Sequence, residues 1–164
     1  MKGYLKVFTI FLLTFLLLVN LGSAQIKNRI YVNRVNSVDG RLIEPAKAYF
    51  ITRLQTIGFE VVYQRENADY LLDLNIVNVK SRRSFNWLIF LLPLWPIVPF
   101  TTVQGEAIVA IRIYDTAGNE VAFDQTGAVR NGMWFFGDFV SESSVIKGAV
   151  NDCINILIGR LNIK

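Results

Sequence analysis

The sequence predicts an α+β domain in the order β-α-β-β-β-β-α: a mostly antiparallel sheet with two helices on one face. Three observations carry this. Runs at residues 28–35, 59–64, 69–79, 101–115 and 120–130 are rich in β-branched or aromatic residues, largely in two-residue alternation. Two other segments, 45–57 and one beginning near Ser141, repeat their apolar residues at helical spacing. Turn residues separate the later strands, and two helical stripes with one sheet face can bury each other.

The first strand leads through Asp39-Gly40 to Pro45, which suits the first turn of a helix. Ala46, Tyr49, Phe50, Leu54 and Ile57 form that helix's stripe, and Gly58 stops it. The β-α-β crossover makes the first two strands parallel. A tight polar turn at 65–68 is expected to reverse the chain into the third strand, where Tyr70, Leu72, Leu74 and Ile76 share a face. In the fourth, Val103, Ala107, Val109, Ile111 and Ile113 do so. Asp115-Thr-Ala-Gly118-Asn119 is hairpin chemistry, because Gly and Asn tolerate positive φ. Ser141, Ser143 or Ser144 caps the last helix, whose stripe is Ile146, Ala149, Val150, Cys153, Ile156, Leu157 and Leu161.

Between the third and fourth strands lies an apolar loop, residues 86–101, that dominates the chain. Its 14 residues 87–100 carry no charge, and Lys80, Arg82 and Arg83 precede them. A spanning helix needs roughly 20 apolar residues, and Pro93, Pro96 and Pro99 block a continuous helix beyond Leu92. A run this large and apolar marks an attachment surface; the rival reading folds it onto the domain's own core. A second aromatic loop, Met133-Trp134-Phe135-Phe136-Gly137, follows the fifth strand. Alternating strand directions put both loops at one pole. If the turn at 65–68 reverses the chain, the start of the first strand joins them there.

The N-terminus reads as a secretory signal. Lys2 and Lys6 precede an uncharged run, residues 7–19, and Gly22-Ser23-Ala24 supplies small residues before a cut at Gln25. The domain is then residues 25–164, a single unit long enough for a core. Retention as an N-terminal anchor is the alternative. No Cys follows the cut, so lipoprotein-type attachment is not expected there. Losing the two signal lysines leaves 15 basic residues against 13 acidic, which gives no footprint for nucleic acid.

Chemistry is constrained by what is missing. The chain has no His and one Cys, so His-based catalysis and thiolate zinc sites are excluded. Cys153 falls in a helical apolar stripe and reads as a buried thiol. Ser144-Val-Ile-Lys147 matches a Ser-x-x-Lys nucleophile pattern, without its companion motifs. Asp69, Asp73, Asp115 and Glu120 read as solvated charge. No cofactor and no catalytic residue is expected.

The Ala68-Asp69-Tyr70-Leu71-Leu72 step and the Tyr114-Asp115-x-x-Gly118 hairpin, in this element order, resemble small bacterial envelope proteins. They are similar to the periplasmic domains of the curli-secretion lipoprotein and of lipoprotein activators of penicillin-binding proteins. That resemblance implies an envelope scaffold or assembly factor without a catalytic site, although the lipidated Cys of those families is absent. The expected function is therefore docking to a membrane surface or an integral-membrane protein. Arg82, Arg83, Trp87, Leu88, Phe90, Leu91, Trp95, Trp134, Phe135 and Phe136 would make the contact. The alternatives are a homo-oligomer packed through the apolar loops and a carrier of lipid or another apolar ligand.

Overall fold

The computed structural model describes residues 28–87, 99–134 and 140–161, without the side chain of Trp134. The expected signal, residues 1–24, and Leu88, Phe90, Leu91, Trp95, Phe135 and Phe136 lie outside the described residues.

β1 (Arg29–Ser37) buries Ile30 and Val32 on one side. A single 3₁₀ turn, Gly40–Leu42, leads into α1 (Ile43–Thr56), with Pro45 in its first turn. Ala46, Phe50 and Leu54 are buried as their spacing predicts. Ile57 is not part of that stripe: it lies just past the helix and is 44% exposed. Gly58 ends the helix at φ +101°, a conformation that costs glycine nothing.

β2 (Glu60–Val62), β3 (Tyr70–Phe85), β4 (Thr101–Asp115) and β5 (Glu120–Trp134) complete a five-stranded sheet in the order β2-β1-β3-β4-β5. α2 (Glu142–Arg160) follows, its first N–H groups capped by Ser141, whose Oγ accepts from the Ser144 N–H at 3.1 Å. Both helices cover the same face. Phe50 and Leu54 of α1, and Cys153, Ile154 and Leu157 of α2, share one core with Ile30, Leu72, Leu74, Ile76, Val109 and Ile111 of the sheet. Ile156 points away from it and is 38% exposed, contrary to the predicted stripe; Ile154 takes that place.

The sheet is mixed, because β1 runs parallel to both of its neighbours. This corrects the expectation that the turn at 65–68 reverses the chain. β2 has three residues and rises only about 10 Å. Residues 63–69 therefore suffice to return past the first residue of β1 and enter β3 in the same direction. Asp69 fastens that return. Its N–H donates to the Arg29 carbonyl at 2.7 Å, and its carboxylate accepts the Arg29 backbone N–H at 2.8 Å and the guanidinium at 3.0 Å. In consequence the start of β1 lies beside Tyr70, at the opposite end of the sheet from the apolar loop.

β3, β4 and β5 are far longer than β1 and β2. They form a three-stranded antiparallel ribbon paired from Phe85↔Thr101 and Thr101↔Trp134 back to the core, where β3 bulges between Ile76 and Asn78. α2 reaches along its far half because glycines let it approach. A Cβ on Gly105 would lie 2.9 Å from the Val145 carbonyl carbon.

Candidate functional site

The far end of this ribbon is where the sequence places attachment. β3 and β4 remain paired to the brink of the apolar loop, where the Asn86 N–H donates to the Phe100 carbonyl at 3.0 Å. The loop is therefore the connection of a long hairpin. Phe85 is 52% exposed and Trp87 63%. Thr101 stands between Phe85 and Trp134 in register. Met133 and Trp134, expected in the second aromatic loop, are the last residues of β5. The ends of both apolar segments thus meet, as strand direction predicts.

The two arginines do not face the same way. Alternation puts Arg82 and Arg83 on opposite faces of β3. Arg83 faces the helices, and its Nε sits 3.4 Å from Glu142 at the start of α2. Glu142 also accepts the Ser81 hydroxyl at 2.8 Å. Arg83 is therefore a brace between ribbon and helix. Arg82 lies on the uncovered face, on the same side as Lys80. As read from the sequence, both arginines share one role; the packing of α2 shows that Arg83 is engaged by Glu142.

Asp115, Asp69 and Asp73 hold turns and strands. Asp115 accepts the Asn119 backbone N–H at 2.8 Å and its side-chain amide at 2.9 Å, closing the hairpin at Gly118. These bonds lower its pKa, as the Arg29 bonds lower that of Asp69. Asp73 accepts from Asn33 Nδ2 at 2.8 Å. Ser144 and Lys147 are exposed on the first turns of α2, and the Ser144 N–H belongs to the cap. Cys153 is buried, its thiol 3.4 Å from the Ala107 carbonyl, and burial pushes its pKa up to about 11. Among the described residues no cluster of three metal-ligating side chains occurs, and no helix is long and apolar enough to cross a membrane.

An apolar groove of about 470 Å³ lies between β4, β5 and the C-terminal end of α2, lined by Tyr70, Ile111, Ile113, Phe123, Leu157 and Arg160. It is at the opposite end of the ribbon from the loop.

No known protein family matches the chain, and no curated protein matches it. Solved structures do. A hypothetical protein from Chlamydia trachomatis superposes with a TM-score of 0.54 at 8% identity, over 82% of this chain and 95% of that one. The minor lipoprotein from Acinetobacter baumannii gives 0.49 at 13% identity, over 82% and 92%. The lipoprotein GNA1162 from Neisseria meningitidis gives 0.43 at 13% identity, over 81% and 99%. The chlamydial likeness shows a shared fold. Bacterial lipoproteins stand among the structural neighbours; the two families that the sequence resembles are not singled out by them.

Proposed function

We propose that this is a non-enzymatic, exported envelope protein that docks through residues 86–101 to a membrane surface or an integral-membrane protein, in a scaffold or assembly role. One observation supports this above the others: a 14-residue apolar segment joins the tips of two strands that extend away from the described core. Phe85 and Trp87 lead into it half-exposed or more. Inserting four large apolar side chains, at roughly 1.5–3 kcal/mol each, gives about 6–12 kcal/mol before the cost of ordering the loop. Arg82 supplies a basic contact of about 1 kcal/mol at an anionic surface. Trp87 and Trp95 suit the interfacial layer.

The test replaces residues 87–99 with a short Asn-Gly turn between Asn86 and Phe100, which already pair. The variant should keep its melting temperature and no longer float with vesicles. A collapsed melt means that the run is core. An unchanged melt with unchanged flotation moves the contact elsewhere.

A further inference from the structure

We propose that the outer edge of β5 is a self-association surface, on which a second copy of this chain pairs antiparallel about a two-fold axis at Gly127. The two edges of the sheet are unlike. β2 offers three residues, whereas β5 offers 15, without proline and in regular register from Ala122 onward. Among the described residues nothing pairs with its outer side. Unpaired N–H and C=O groups along such an edge are a template for another strand.

The sequence of β5 is complementary to itself. In antiparallel pairing centred on Gly127, Asp124 falls opposite Arg130 of the second copy, twice by symmetry. Phe123 falls opposite Asn131, and Gln125 opposite Val129. A shift of two residues either way sets Arg130 against Ala122 or Thr126 and loses both charge pairs.

The faces agree as well. Asp124 and Arg130 lie on the helix side, 3.6 Å from Arg160 and Asp152 of α2. Val129 and Met133 lie on the uncovered side and are 57% and 56% exposed. Like faces therefore meet, and two five-stranded sheets become one of ten with all helices on one side. Across the seam the charges alternate: Arg160, Asp124, then Arg130 and Asp152 of the second copy. Such charges set register and suppress wrong pairings more than they add affinity. Gly127 at the axis sets no two like side chains against each other on the sheet face. This surface is lateral, and separate from the apolar loop at the ribbon's end.

Cross-linking tests the register. A Cβ on Gly127 would sit 3.6 Å from the Ala107 carbonyl oxygen and 3.8 Å from Ile108 Cγ1, ordinary contacts, so Gly127→Cys fits. Opposed Cα atoms in such a pair are about 4.5–5.5 Å apart, within disulfide reach. Diamide, as the oxidant, should link Gly127→Cys to itself. Gln125→Cys copies would stand about 14 Å apart and link at least about tenfold less. Equal linking at both positions, or none at 127, overturns the register.

Charge exchange tests the interface. By sedimentation the wild-type protein should have twice the monomer mass. Asp124→Arg and Arg130→Asp, each folded by thermal melt, should be monomers alone and form a one-to-one heterodimer when mixed. A monomeric wild type, or a dimer that both substitutions leave intact, overturns the proposal. So does a dimer that disappears when residues 87–99 are replaced, because the contact is then the loop.

Discussion

The two halves of the β3–β4–β5 ribbon are built from the same strands and held in different ways. In the half nearest β1, Leu72, Leu74, Ile76, Val109 and Ile111 are sealed under both helices. In the far half every residue of β3 from Lys80 to Phe85 is exposed, while Val103 of β4 stays buried under the start of α2. One half is stabilised by packing from a whole layer. The other rests on backbone pairing, one helix end and the Glu142 brace. The packed half and the end that carries the apolar segment thus lie at opposite ends of a single hairpin.

Substitutions should expose this asymmetry. Ile111→Ala, in the sealed half, should cost about 2–5 kcal/mol in chemical denaturation, because it leaves a cavity that the sheet cannot close. A loss under about 1 kcal/mol would mean that this core is loosely packed. Gly105→Ala tests how tightly α2 holds the far half: its Cβ would meet backbone at 2.9 Å, which should cost about 1–3 kcal/mol. Ser141→Ala removes the cap of that helix and should cost about 1 kcal/mol. Arg82→Glu should move the melting midpoint by no more than about 0.5 kcal/mol equivalent, while weakening binding to anionic vesicles and not to neutral ones.

The smallest effect concerns acid. The Asp69 carboxyl is held below its usual 3.8 mainly by the Arg29 hydrogen bonds. Its contribution is fully present above that value and fades as pH falls through the lowered one. Asp69→Asn should therefore lower stability at neutral pH, where the carboxylate's contribution is fully present, and flatten part of the stability loss below pH 3.8. An unaltered acid profile would show that the clasp on β1 does not matter.

Much of the fold was legible because local patterns specify it. The boundaries of β4 follow from Thr101 and from the turn at Asp115, and a serine cap from the serines before an apolar stripe; that Ser141 and not Ser143 or Ser144 supplies it is decided by the structure. β3 runs to Phe85, six residues past its predicted end, because Lys80 to Ser84 carry no alternating apolar signal. That stretch is strand only because β4 lies beside it. Of the site, the shared end of the two apolar segments followed from strand direction. The separate roles of Arg82 and Arg83 did not, since nothing in β3 itself announces that Glu142 will stand over one of them.

By itself the sequence determined the elements, their order, the apolar stripes and the placement of both greasy segments at one pole. These depend on periodicity and turn chemistry, which act over a few residues. The tertiary structure decided the direction of β2, and with it the pole from which β1 starts. A turn of polar residues is compatible with reversal or with return; the shortness of β2 and the Asp69–Arg29 clasp, 40 residues apart in the chain, select return. It also decided which edge of the sheet is left long and unpaired. Strand order is fixed by how the faces pack beneath two helices, and no local stretch of sequence carries that information.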